Sequence, residues 1–493
     1  MNRPSMTSLR TISAVCLIVM PALILGGCDS SQDAKPTAPT IQSLSIAYPK
    51  DTGCNEAWEP ILNEWSARTG ISHTRIETEL PGDPSQPLFA DLNIVPLTST
   101  VDLAYHHQIR PIPNEALEER ALDWQGLFQG IREKVCTLSG TRTIIPLGSP
   151  ALVLYYRADL LTNAKRSPPE TWDDYLKLVQ ELPDWAPNLK AVEPWQGDWA
   201  ATLYLARTAS YAKHPDHTAF LFDLETGDPL IDSPGFQKAW DIHKQIAKEL
   251  SPDILKLTPA HCRQEILEGR AALAIALESP SILRVSSEDL SPSTEIQRAA
   301  DIQLGFTQLP GSAESYNPSL KNWEPPRESP VHRVTLTAFD GLAAVASDKL
   351  SDEAALLAWN MLQTLTLDDD AILPPRIVSP VRESDLATLD LFTAPPLIPS
   401  EQGEYLATVG RSLRNRQLTQ EMPVVGRQEF LSALTEAVQQ GLTQQDLSGA
   451  DFTQTIAQRW SEIQKSVGKE AVRDSYRISH GLKPLTSNTT AQK

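Results

Sequence analysis

The chain is short of the residues on which most site chemistry is built. It has five cysteines and nine histidines in 493 residues. No CxxC occurs, and His106-His107 and His261-Cys262 are adjacent pairs whose side chains would diverge on a strand, without zinc-ligand spacing. No metal and no cofactor is expected. GxSxG, HExxH and GxxxxGK[ST] are missing, which removes the simplest hydrolase, metalloprotease and nucleotide readings. Beyond Leu25 no stretch approaches the ~20 apolar residues of a membrane span. Positive charge is scarce as well: 43 Lys and Arg stand against 62 Asp and Glu, a net charge of −19. So acidic a surface repels nucleic acid and anionic lipid headgroups, and neither is expected as a partner.

What is present begins at the N-terminus. Arg3 and Arg10 precede an apolar run from Ile12 to Leu25, too short to span a bilayer and interrupted by Pro21, and then Gly26-Gly27-Cys28. A charged start, an apolar middle and a small-residue cleavage site make an export signal over residues 1–27. Leu25-Gly26-Gly27-Cys28 resembles the lipobox of bacterial lipoproteins, which implies a lipid on Cys28, cleavage before it and attachment to the cell membrane, facing the periplasm or exterior. Asp29 after that cysteine resembles an inner-membrane retention signal. Residues 28–41 are polar, Pro-containing and free of aromatics, as a flexible tether would be.

The remainder reads as α/β. Ile41–Pro49 is strand-like, Cys54–Gly70 is an amphipathic helix with Trp58, Ile61, Leu62 and Trp65 on one face, and ISHTRIETEL is a second strand. Strand, helix, strand at this spacing opens a parallel sheet covered by helices. ADLNIVPL, TRTIIPL, ALVLYYR, AALAIAL, LGFTQLPG and LAAVAS continue as strands. Helices are read at PPETWDDYLKLVQEL, capped by Thr171, at WAATLYLARTASY, FQKAWDIHKQIAKEL, HCRQEILEGR and DEAALLAWNMLQTLT, and in two closing segments.

In this order the segments resemble the extracellular solute-binding proteins of ABC importers, in the sugar-binding group that includes maltose-binding protein. The resemblance rests on Ala67-Arg68-Thr69-Gly70, on Val153 through Leu161 followed by Pro168-Pro169-Glu170-Thr171-Trp172-Asp173-Asp174, on Glu268-Gly269-Arg270-Ala271-Ala272-Leu273-Ala274-Ile275, on Leu309-Pro310-Gly311, on Asp340 through Ser347 and on Met422-Pro423. It spans about residues 42 to 465 as short matches in a shared order. Arg157, where Asn is usual, and a long Pro/Ser-rich stretch from Ser287 to Arg333 depart from the pattern. The resemblance implies a two-lobed periplasmic-binding-protein fold, type II-like, with a hinge. Lobe 1 is expected over 42–150 plus 280–338, lobe 2 over 151–279 plus 339–480, and a disordered tail over 481–493. Crossings are expected near Ala151–Tyr156, Ala274–Pro280 and Ala338–Ala344. Cys54 and Cys136, placed by this reading in one lobe, are a candidate disulfide against the alternative of free buried thiols.

The implied function is a monomeric receptor, not an enzyme, that captures a sugar or polyol between its lobes and delivers it to ABC permease subunits. Sugars present CH-rich faces and hydroxyls, which suit aromatic platforms with carboxylates and amides. Glu193-Pro194-Trp195 resembles the family's Glu-Pro-aromatic ligand segment, implying Glu193 as hydroxyl acceptor and Trp195 as platform; Trp199 is either a further contact or a core residue. Strand-end loops add Lys50, Asp51 and Thr52, then Glu278 and Ser279, then Asp340 and Gly341, because ligands gather outside the carboxyl ends of strands. Tyr155 and Tyr156 alternate on a strand, so one of them, taken as Tyr156, can face the cleft. Arg376 and Arg427 could hold an acidic group or lie at the surface. Two rivals stand beside this reading: a secreted glycoside-active enzyme using Glu193 and Glu278 as paired carboxylates, and a ligand-binding module for a sensor system.

Overall fold

The computed structural model describes residues 41–50, 54–79, 86–118, 122–278, 296–366, 379–444 and 446–485. The export signal, Cys28, Asp51, Thr52, Ser279 and Arg376 lie outside them.

The chain opens as its apolar pattern dictates. Strand β1 (Ser43–Pro49), helix α1 (Cys54–Thr69) and strand β2 (Ser72–Thr78) form a parallel βαβ unit in which Ser43 pairs with Ser72. Trp58, Leu62 and Trp65 of α1 are fully buried, and the helix stops at Gly70, whose φ of +73° suits glycine. Strand β3 (Leu92–Pro96) leads into α2 (Thr100–Tyr105), followed by α3 (Asn114–Glu118), α4 (Gln129–Lys134), the hairpin β4 (Thr137–Leu138) with β5 (Thr141–Arg142), and β6 (Ile145–Pro146).

The chain then crosses to a second sheet. Strand β7 (Val153–Arg157), α5 (Ala158–Asn163), α6 (Trp172–Gln180), α7 (Leu182–Trp185), β8 (Lys190–Val192), α8 (Trp199–Ala212), α9 (Pro234–Glu249), α10 (Pro259–Leu267), β9 (Ala271–Ala276) and β10 (Leu304–Gln308) build it. Thr171 caps α6 in a reciprocal capping box with Asp174, as expected from Thr-Trp-Asp-Asp. A hairpin, β11 (Ser315–Asn317) and β12 (Asn322–Glu324), precedes β13 (Thr335–Thr337). Strand β14 (Leu342–Ala346) and α11 (Asp352–Thr366) return to the first sheet. The last elements are α12 (Leu389–Phe392), α13 (Pro399–Leu413), β15 (Leu418–Gln420), α14 (Arg427–Thr443), α15 (Gly449–Val467) and α16 (Lys469–Ser479).

Among the described residues the first sheet runs β2-β1-β3-β14-β6 and the second β10-β7-β9-β8, with β13 and β15 as a separate parallel pair. The second sheet is covered on both faces, so every residue of β9 is buried. Ala274 and Ala276 join Tyr155 and Phe306 beneath α13, and Leu273 and Ile275 face the helices α6, α8 and α9.

Sheet membership corrects the expected lobes. Strand β10 pairs with β7, so this part of 280–338 belongs with the second sheet, and β14 lies between β3 and β6, so β14 and α11 return to the first, whereas α14 and α15 pack on α8 and α9 of the second, as expected for that stretch. The crossings near Ala151 and Ala338 are present. At the one expected at Ala274–Pro280, the described strands on either side, β9 and β10, flank β7 in one sheet. Helix α16 packs on α2 and β4 while Val472 and Tyr476 enter the second core. Of the tail expected over 481–493, residues 481–485 are held by contacts: Lys483 O accepts from Arg477 Nε (2.9 Å) and Leu485 N donates to Asp474 Oδ1 (3.1 Å).

Candidate functional site

The carboxyl end of β3 and the second crossing meet at one place. After Pro96 the chain turns tightly, with Thr100 Oγ1 donating to Leu97 O (2.7 Å), and Leu97 N donates across to Gly341 O (3.1 Å). Gly341 has φ +103°, and a Cβ there would sit 2.2 Å from Gly148 O, so only glycine fits this approach. Two residues earlier on the same crossing, Phe339 meets Trp199 edge to face at 5.6 Å. Trp199 opens α8 and is half-buried. Beside it Asp198 accepts from Gln428 Nε2 (3.0 Å) and Thr435 Oγ1 (3.3 Å) of α14. The structure thus brings Trp199, Asp340 and Gly341 together at a seam between the lobes.

Arg427, at the start of α14, pairs with fully buried Glu421, which also accepts from Thr202 Oγ1. Burial pushes the Glu421 carboxyl above its ordinary range, and Arg427 and Thr202 oppose that rise. The first lobe answers with Asp102 on α2. Its Oδ1 is buried without a hydrogen bond among the described residues. Burial, with the Glu429 charge adding and Arg427 opposing, pushes its carboxyl up to about 7. An unfolded aspartate titrates near ~3.9, so between about 4 and 7 the folded protein holds a proton that the unfolded chain has released. Asp102 therefore makes stability fall as pH rises through that window. Urea midpoints at pH 4.5 and 7.5 should show a smaller difference in Asp102→Asn than in the wild type; an unchanged difference would refute the assignment.

Several sequence candidates lie elsewhere. Glu193 and Trp195 are fully buried in the second core. Glu193 Oε1 accepts from Arg207 Nη2 at 2.9 Å and Oε2 from Trp195 Nε1 at 3.1 Å, while the indole stacks on His243 with centroids 4.3 Å apart. Arg207 also lies 4.3 Å over the Trp172 ring. The carboxylate and platform are spent on each other and on an internal arginine, so neither is available to a ligand. Glu278 is buried too, taken by Arg263 Nε (2.6 Å), Tyr155 OH (2.9 Å) and Ala394 N (3.2 Å). Each member of the supposed glycosidase pair is therefore neutralised by its own arginine. Tyr156 faces away from Tyr155, as alternation predicts, but packs against Gly305 beside Glu404 and Arg411 of α13 rather than at the seam. Lys50, at the end of β1, pairs with exposed Glu79 at 2.6 Å. Cys54 and Cys136 are both buried in the first core and are not joined by a disulfide, which favours the alternative of buried thiols; burial raises the Cys136 thiol.

Sequence reasoning missed Asp102 and Phe339. The strand-end argument that selected Lys50 applies equally to the polar turn Thr98-Ser99-Thr100 before Asp102. One triad among the described residues, His214, Asp216 and Glu324, has its ligand atoms within 4.8 Å of one another. Arg327 donates to Asp216 Oδ2 (2.8 Å) and Glu324 Oε2 (3.5 Å), so a cationic group already neutralises two of the three.

Two α/β lobes joined by repeated crossings, with an aromatic and acidic seam between them, define a hinged binding protein. Residues 82–368, more than half of the chain, match the model of the bacterial extracellular solute-binding proteins, and the chain belongs to that family. Its members work outside the cytoplasm. Solved structures with the same fold include the sugar-binding protein MalE from Xanthomonas citri (TM-score 0.60, 16% identity, 86% of this chain and 98% of that one). T. maritima MalE3 with bound maltose gives 0.55 at 15% identity, covering 85% and 99%. An ABC transporter solute-binding protein from Agrobacterium radiobacter K84 with ribitol also gives 0.55 at 15%, covering 86% and 99%. No curated protein sequence matches the chain significantly.

Proposed function

We propose that the chain is a carbohydrate receptor that traps a sugar or polyol at the interlobe seam and delivers it to the permease of an ABC importer. The observation that carries this reading is the Trp199–Phe339 pair, flanked in sequence by Asp198 and Asp340, with Asp102 of the other lobe acting on Arg427 and Glu429 at the start of α14. Aromatic faces cover the CH-rich side of a sugar ring and carboxyl groups accept from its hydroxyls. The sugar and polyol held by the structural neighbours support the same ligand class. A lipid on Cys28, with residues 28–41 as tether, would hold the receptor at high effective concentration beside its permease.

The test is a thermal-shift panel of sugars, polyols and sugar acids on the full-length protein. A ligand at a hundred times its dissociation constant should stabilise by about 2.7 kcal/mol. Trp199→Ala should weaken that ligand about tenfold, equivalent to losing about 1.4 kcal/mol of contact, with little change in the unliganded melting temperature. A panel without any shift would overturn the receptor reading, and unchanged affinity in Trp199→Ala would overturn the site.

A further inference from the structure

Helix α8 starts at the seam and ends, 14 residues on, at a second feature that solute capture does not use. There a cavity of about 120 Å³ is bounded by Lys134 from the end of α4, Lys213 and His217 after α8, Arg416 before β15, and His480 after α16. Among the described residues no acidic side chain lines it. That is unexpected in a chain with 62 acidic residues against 43 basic ones.

Lys213 is the central group. It is 6% exposed, and its ammonium donates to Gln417 Oε1 at 2.7 Å, an amide rather than a carboxylate. An ammonium has three donors, so two remain for another acceptor. Among the described residues neither Lys213, Lys134 nor Arg416 forms an ion pair. The positive groups also feel one another. Burial and then Lys134 push the Lys213 ammonium down to about 8, and burial, with Lys134 and Lys213, pushes His480 down to about 4. A buried cation without a counter-charge is costly, and an anion that fills the cavity removes the cost.

We infer that this cavity binds a small tetrahedral oxyanion of the phosphate or sulfate type, held by Lys213, Lys134 and Arg416. Charge-assisted hydrogen bonds from two ammonium groups and a guanidinium suit its oxygens. Lys134 comes from the first lobe, Lys213 from the second and Arg416 from the approach to β15, so the bound anion ties both lobes to the β13–β15 pair.

Inorganic phosphate should be titrated calorimetrically into the full-length protein, with chloride holding ionic strength constant. The wild type should show saturable binding with a dissociation constant of about 1 mM or tighter, corresponding to about −4.1 kcal/mol. The Lys134→Gln/Arg416→Gln variant, whose two positions lie outside the second core and the solute seam, should bind at least tenfold more weakly while melting as the wild type does without phosphate. Lys213→Met should lose the phosphate-dependent rise in melting temperature. Absence of saturable binding in the wild type would overturn the site, as would undiminished phosphate binding in the folded double variant. Neither result bears on sugar binding at the seam, which is read with separate ligands.

Discussion

Alanine at Trp195 should destabilise the protein by about 3–5 kcal/mol, because it removes a fully buried indole from the second core. The change also strips Glu193 of the indole N–H at 3.1 Å and removes the nearer of the two indoles stacked on His243. A buried acceptor left unsatisfied costs about 1–3 kcal/mol, which places the effect toward the upper end of that range. The expected readout is a lower urea midpoint with an unchanged slope, and weakened solute binding only where the protein has begun to unfold. A ligand platform would behave in the opposite way, losing affinity at constant stability. A Trp195→Ala protein within about 1 kcal/mol of wild type would contradict the burial described here.

Arg263→Ala should cost about as much, near 3–5 kcal/mol, by leaving Glu278 as a buried carboxylate without its cation. Arg263 does more than neutralise: its Nη2 donates to Ala394 O (2.8 Å) and Pro395 O (3.1 Å), and Glu278 N donates to Tyr405 Oη (2.9 Å). The pair thereby fastens α10 and the end of β9 to the segment entering α13. Replacing both partners with apolar groups of similar volume, Arg263→Met with Glu278→Leu, should recover part of the loss, since no charge is then stranded. Chemical denaturation of the single and double variants measures this coupling. A double variant no more stable than Arg263→Ala would show that the carbonyl contacts, rather than the ion pair, dominate.

Much of the fold could be read locally. The βαβ opening follows from the spacing of Trp58, Leu62 and Trp65, and α6 from Thr171 with Asp174, because these signals act within one or two turns of chain. Lobe membership was harder. Nothing near Leu304–Gln308 specifies that its partner is β7, or near Leu342–Ala346 that it enters between β3 and β6; strand pairing is long-range, and both segments are simply apolar. Helix α16 was missed because KEAVRDSYRIS has few apolar residues, and its burial comes from packing on α2. At the site, Glu193 and Trp195 were misplaced because a carboxylate and an indole at a strand end suit either a cleft or a core. Arg207 could have decided between them. A single arginine within the apolar helix WAATLYLARTASY needs an internal carboxylate, and Glu193 is the one it takes.

The insertion of β14 between β3 and β6 also constrains the order in which the protein can be made. The whole second sheet is encoded between Pro146 and Leu342. A growing chain that has not reached Leu342 leaves the sides of β3 and β6 that β14 covers as open edges, able to pair wrongly with another chain. Both lobes wait for late segments, the first for β14 and the second for α14 and α15, which pack on α8 and α9. Such distant pairing slows folding, and until β14 arrives it leaves the first sheet exposed to aggregation.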